Sequence, residues 1–398
     1  MFDVAIIGAG IIGLAAAREV LLRHPETSLT VLEKEPELGR HQTGHNSGVI
    51  HSGIYYAPGS VKARACVAGA AALKRYCLDR GIPFEECGKV IVARNEDEIP
   101  RLEELHRRGI ENGVPGLERI GPERIRELEP HVVGIQGLWS PRTGIIDFGR
   151  VAAAYADDVR AAGGTIATRH EVLGFQRTAR SVVVRTTSGD VEASRVVACA
   201  GLYADRIAAL TGAPKDPRIV PFRGDYYVLP PERRQLVRSL IYPVPDPAFP
   251  FLGVHFTRRI DGDVWLGPNA VLAFAREGYR RTDFAPGDLA EALGFPGFRK
   301  LAVRYWRTGL AEMWRDYNKA AFLASLRAYV PELKEVDLQP GPSGVRAQAL
   351  SSDGKLVDDF VVNTAAGVLH VRNAPSPAAT ASLAIGAMIA DALDAVTQ

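Results

Sequence analysis

The chain has 398 residues, 46% hydrophobic and 24% charged, with a formal net charge of +2. That size suits a globular protein with two or three cores, and the near-neutral balance excludes a dedicated nucleic-acid binder. The four cysteines, Cys66, Cys77, Cys87 and Cys199, lack metal-type spacing, so reduced thiols and no metal site are expected.

The chain starts MFDVAIIGAG, with no basic leader segment, and holds no apolar run of the ~18 residues a membrane span needs. A cytoplasmic protein is the expectation. Residues 3–7, DVAII, read as a buried strand, LAAAREVLL as a helix, and SLTVLEK (28–34) as a second strand. Between the first two lie Gly8, Gly10 and Gly13 in G-x-G-x-x-G spacing. Gly8 makes the turn, Gly10 lets backbone approach a pyrophosphate, and Gly13 lets helix and strand pack closely. The helix N-terminus supplies free N–H groups to the phosphates. Glu33, at the end of the second strand, can accept from a ribose diol and disfavours a 2′-phosphate, so NADP is not expected. A glycine turn and a solvated carboxylate are the plainer readings of each part alone. All parts in sequence point to a dinucleotide.

Regular βαβ units do not follow. Residues 41–66, HQTGHNSGVIHSGIYYAPGSVKARAC, suit neither a core helix nor a regular strand. Gly39, Gly44, Gly48 and Gly53 let this backbone run close against a ligand. A helix is expected from Ser60, with Lys62 and Arg64 facing either the ligand or, more ordinarily, solvent. GGTIATRHEVLGFQ, SVVVRTTSG and SRVVACAGLYADRIAAL (194–210) read as strands, the last passing through Gly201 into a helix. Residues 298–317 place Leu301, Ala302, Tyr305, Trp306, Leu310, Met313 and Trp314 at helical spacing, flanked by Arg299, Lys300, Arg304, Arg307 and Arg315. Such a stripe either packs on its own domain, the commoner case, or lies on a bilayer as a peripheral contact. The last piece, 369–393, reads as strand, Pro/Ser turn and helix, with Ser376, Ala378 and Thr380 at the N-cap and first turn.

A dinucleotide turn at the start, a strand-Gly-helix in the middle and a ligand-facing helix at the end resemble the flavoenzymes of the D-amino-acid-oxidase and glycerol-3-phosphate-dehydrogenase type. Within these, HNSGVIHSGIYYAPGS (45–60), FLGVHFTRRIDGDVWLGPNAVLAF (251–274), GVRAQ (344–348) and NAPSPAATASLAIG (373–386) resemble the L-2-hydroxyglutarate dehydrogenase/oxidase family. The resemblance implies an α/β fold. A discontinuous Rossmann-type FAD-binding domain (1–85, 148–215, 340–398) would carry an inserted α+β substrate domain (86–147, 216–339) on a mainly antiparallel sheet. It implies FAD, held non-covalently rather than through His41 or His45. Expected cofactor contacts are Gly8, Gly10, Gly13, Glu33, Lys34, His45, Asn46, Ser47, Val172, Ala200, Gly201, Gly344 and the run Ser376, Pro377, Ala378, Ala379, Thr380.

Oxidising a 2-hydroxy acid requires a base beside the α-hydroxyl and cationic donors for the carboxylates. Among nine histidines, His24, His106 and His131 stand in polar surface context. An isolated histidine is ordinarily structural, but the resemblance makes His255 and His51 the candidates for the base. Arg346, after Ser343-Gly344-Val345, is the candidate carboxylate ligand. Arg223, with Tyr226 and Tyr227, would hold the distal carboxylate, or simply enter the substrate sheet; Tyr56 is a further substrate contact. Electrons would pass to a quinone or O₂, with the protein free in the cytoplasm or peripheral on the cytoplasmic face of the inner membrane. An amino-acid or sarcosine-type oxidase, a glycerol-3-phosphate dehydrogenase and a flavin-binding scaffold without turnover are the alternatives.

Overall fold

In the computed structural model, which describes residues 1–246 and 253–395, the apolar run Phe2–Ile7 forms an inner strand of an eight-stranded sheet. It pairs in parallel with Leu29–Leu32 and with Val191–Ala198. Thr165–Ala167 extends the parallel run on one side and Val368–Asn373 on the other. The sheet therefore takes strands from the start, middle and end of the chain. Helices Ile11–Arg23, Phe148–Ala161 and Ser382–Ala395 share one core against it, with Leu14, Tyr155, Ile385 and Ile389 buried together. Burying side chains of this size contributes about 1.5–3 kcal/mol each.

The turn after the first strand depends on its glycines. Gly8 has φ +99°, and a Cβ on Gly13 would lie 1.9 Å from the Gly8 carbonyl oxygen. Strand and helix close on each other only because neither residue has a side chain.

The second sheet is nine-stranded and antiparallel except where Leu240–Pro243 runs parallel to Lys89–Ala93. Its strands come from Lys89–Ser140, Arg218–Leu272 and Gln339–Leu350. The last pairs along Arg218–Val228, so a boundary at 340 falls inside a strand of the substrate sheet. On strand pairing we place the return to the first sheet at Val361. A small sheet of Val49–Ile50, Gly144–Ile146 and Phe84–Glu85 is separate from both.

Three expectations change. The final helix begins at Ser382, and 376–381 is a turn in which the Ala381 N–H donates to the Pro377 carbonyl. Residues 298–317 form two helices, Pro296–Arg304 and Trp306–Tyr317, divided at Tyr305, where φ is −122° and ψ 25°. Lys62, on the helix Val61–Arg80, points inward and pairs with Asp358 at 2.6 Å. Phe251 and Leu252 of the FLGVHFT stretch lie outside the described residues.

Candidate active site

A cleft of ≈ 1390 Å³ runs between the two sheets. At one end stands the glycine turn with Glu33. The Glu33 carboxylate accepts from the Ala9 N–H at 2.7 Å and the Glu35 N–H at 3.0 Å, which fixes it against the turn. Lys34 lies beside it, in ion-pair contact with Glu35 and 2.6 Å from Glu277. His41 Nε2 is 3.1 Å from the same Lys34 Nζ. Glu35, His41 and Glu277 could group round a cation, but the ammonium already occupies their centre.

The opening segment follows as one wall. Asn46 spends its polar atoms on its own loop: Nδ2 donates to the Gln42 and Thr43 carbonyls, and Oδ1 accepts from the Gly48 N–H. Ser47 lines the cleft beside it. His45 stacks on Tyr279 at 4.1 Å and contacts the Ser343 carbonyl through Nδ1 at 3.0 Å. Gly344 faces this bond: a Cβ there would lie 2.6 Å from the His45 carbonyl oxygen. The glycine thus serves contact between the two domains' chains. The His51 N–H donates to Thr380 Oγ1 at 3.1 Å, tying the wall to the C-terminal turn. Val172, Ala200, Gly201 and residues 376–380 complete the lining.

At the far end, His51, Tyr55, Tyr56, Tyr226, Tyr242, His255 and Arg346 face the same space. His255 begins the strand His255–Arg258 and stacks on Tyr242. Burial, with Arg346, Lys89 and His51 nearby, holds His255 well below its ordinary pKa. Burial, followed by Lys89 and Lys62, pulls His51 down to about 3. Both imidazoles are therefore neutral at pH 7 and able to accept a proton. His51 Nδ1 and Tyr55 Oη are buried without a hydrogen-bond partner among the described residues.

Two expected substrate ligands do not reach the cleft. Arg223 is 3% exposed and pairs with Asp225 at 3.0 Å and Asp316 at 3.3 Å. Tyr227 packs on Phe322, ring centroids 5.0 Å apart. The cause is strand alternation: Gly224 and Tyr226 face the cleft, while Arg223, Asp225 and Tyr227 face away. Of the two tyrosines expected beside Arg223, Tyr226 reaches the cleft.

The FAD dependent oxidoreductase family matches residues 3–392. The chain belongs to this family. It is 53% identical to L-2-hydroxyglutarate dehydrogenase, mitochondrial, of Nematostella vectensis, covering 98% of this chain and 90% of that protein. Identity to the Homo sapiens protein of the same name is 51%, over 98% and 88%. Among solved structures, the dithionite-reduced L-alpha-glycerophosphate oxidase of Mycoplasma pneumoniae with FAD bound has a TM-score of 0.80 at 24% identity, covering 98% of this chain and 94% of that one. That likeness is one of fold.

The residues of this flavoenzyme fit FAD. A Cβ on Gly10 would meet only Thr43 Oγ1, at 3.5 Å, so the side of the turn facing the cleft is open. The helix behind it starts after Gly10, which has no side chain to cap it, and its Ile11 N–H donates to Thr43 Oγ1 at 3.0 Å; a carboxylate is fixed where a ribose would be read. The unpartnered His51 and Tyr55 atoms await a polar ligand. The volume exceeds the ~300–1,000 Å³ of ordinary ligand sites, as a dinucleotide with substrate requires. Sequence reasoning missed Tyr55 and Tyr242. Tyr242, in LIYP, carried no local signal.

Proposed function

We propose that this flavoenzyme oxidises L-2-hydroxyglutarate to 2-oxoglutarate, acting on the CH–OH group of its substrate. Bound FAD supplies the acceptor for the α-hydride. The observation that carries the reading is that His51, His255 and Arg346 face the same cleft as the glycine turn. The relatives named for this activity support the choice of substrate.

The chain's own residues have distinct tasks in this reading. Arg346 holds a substrate carboxylate in its planar guanidinium. His255, near Arg346, takes the hydroxyl proton on its neutral imidazole. His51, anchored to Thr380, lies on the wall that faces the cofactor. Tyr56 and Tyr226 line the substrate end and exclude water. Gly8, Gly10 and Gly13 receive the pyrophosphate and Glu33 the ribose. Lys34, His45, Asn46, Ser47, Val172, Ala200, Gly201, Gly344 and Ser376, Pro377, Ala378, Ala379 and Thr380 enclose the cofactor non-covalently. Acid precipitation releasing all the flavin to the supernatant supports that last point; yellow pellets contradict it.

The purified protein, mixed anaerobically with L-2-hydroxyglutarate, its D-enantiomer, glycerol 3-phosphate and sarcosine in turn, tests the substrate. Flavin bleaching by the L-hydroxy acid alone is expected. Bleaching by sarcosine or glycerol 3-phosphate alone overturns the assignment.

The electron acceptor we propose is a membrane quinone, reached through the helix Trp306–Tyr317. This helix is inside out: Glu312 and Asp316 are buried, while Trp314 is 62% and Tyr317 65% exposed. Val303, Trp306, Leu310 and Met313 are exposed with them. Arg304 and Arg307 lie over Tyr305 and Trp306, giving a cationic fringe suited to an anionic lipid surface. No helix among the described residues is long and apolar enough to cross a membrane. Sedimentation with anionic vesicles, reduced by Trp306→Glu with Trp314→Glu, is the expected result. Concentration-dependent self-association without vesicle binding would instead assign the face to a second copy.

A further inference from the structure

Lys89 is 1% exposed and sits in the strand Lys89–Ala93 at the junction with Leu240–Pro243. No carboxylate among the described residues lies within ion-pair distance of it. Its ammonium instead lies over two rings, 4.6 Å from the centroid of Tyr55 and 4.9 Å from that of Tyr242. The far partner of Tyr242 is His255, stacked at 3.8 Å. Cation, phenol and imidazole therefore form one chain from the substrate sheet to the cleft.

A buried lysine without a counter-ion is a costly arrangement, usually replaced by an apolar residue where charge serves no purpose. Leu or Met would fill this volume and pack against both rings. Burial pulls the Lys89 ammonium down to about 7, so its charge is present below that pH, on the acid side where His255 would be protonated.

We propose that Lys89 is the positioning residue of the catalytic histidine: it fixes the Tyr242 ring that orients His255 and places a cation behind that ring pair. The inference rests on the reading of His255 as the base. The groups facing His255 are Tyr242 from the neighbouring strand, Lys89 behind it, Arg346 from Gln339–Leu350 and His51 from the opening wall. Arg346 is assigned to substrate, so its charge is neutralised when a carboxylate binds. Lys89, shielded from the cleft by the tyrosine rings, keeps acting on the histidine with substrate in place. Its cation–π contacts hold the Tyr242 plane.

The test is the pH profile of anaerobic flavin reduction by L-2-hydroxyglutarate in the FAD-loaded enzyme, for the wild type, Lys89→Met, Lys89→Arg and His255→Asn. Lys89→Met is expected to move the acid limb up by roughly one pH unit, as loss of a nearby buried cation requires. The rate should then fall several-fold more on the acid limb than at pH 9. Lys89→Arg keeps the charge and should keep the wild-type limb. An equal fall at every pH, with the limb in place, makes Lys89 merely structural and overturns the proposal. If Lys89→Met loses flavin, the Lys89→Arg limb decides alone: a shifted limb despite retained charge overturns the proposal. Near-normal reduction by His255→Asn would remove the base assignment itself, an outcome distinct from a failure at Lys89.

Discussion

The imidazole of His255 lies flat on the ring of Tyr242, with centroids 3.8 Å apart and planes 7° from parallel. Proton transfer depends on the direction of a ring nitrogen, and a flat contact limits rocking of the imidazole more than an edge contact does. Tyr242→Leu is therefore expected to slow anaerobic flavin reduction roughly 10²-fold, the scale of an ångström's misplacement. Tyr242→Phe keeps the ring and should stay within about threefold. Equal losses in both variants would assign the effect to the hydroxyl instead.

The two histidines should separate kinetically. His255→Ala is expected to slow flavin reduction by roughly 10²–10⁴-fold with FAD retained, the range for a lost general base. His51→Ala, which removes a wall side chain while leaving the His51 N–H bond to Thr380 intact, should cost less. The reverse order in stopped-flow absorbance would exchange their roles.

Arg346→Lys keeps a positive charge but not the planar pair of donors. Its expected effect is a rise in KM of roughly tenfold or more, with the flavin spectrum unchanged. Steady-state kinetics on L-2-hydroxyglutarate that match the wild type would exclude Arg346 from the substrate site. Arg223→Lys gives a contrast. It disturbs the buried Asp225 and Asp316 pairs, so melting temperature should fall while KM holds.

Acid stability follows from buried neutral histidines. His51 is pulled down to about 3 and His370 to about 4 by burial, and His255 also lies well below its ordinary value. Below about pH 6.5 the unfolded chain then binds more protons than the folded one. Stability present above that pH is lost as the pH falls toward the folded values. The melting temperature should drop between about pH 6.5 and 5, before most carboxylates titrate, and His51→Asn should flatten the slope. A flat profile in the wild type would contradict the burial of these rings.

Much of the cofactor half could be read from residue order. The glycine spacing, the acidic strand end and the return of strand and helix near the C-terminus each have local signatures. The substrate half could not be read so far. Arg223 and Arg346 are both arginines on facing strands of one sheet, and their fates differ by which face each side chain takes. Lys62 has the composition of a solvated helix face yet turns inward because Asp358, far away in sequence, meets it. In the helix Trp306–Tyr317 periodicity gave the stripe correctly but not its direction. The buried partners of Asp316 are Arg223 and Asn269, invisible to any helical wheel.

The first sheet places Phe2–Ile7 beside Val191–Ala198, and that strand beside Val368–Asn373. During synthesis the nucleotide turn leaves the ribosome long before the turn that anchors His51. Until Thr380 emerges, the wall that carries His51 lacks this tie. A chain stopped before residue 380 would lack the tie altogether and is expected to emerge colourless.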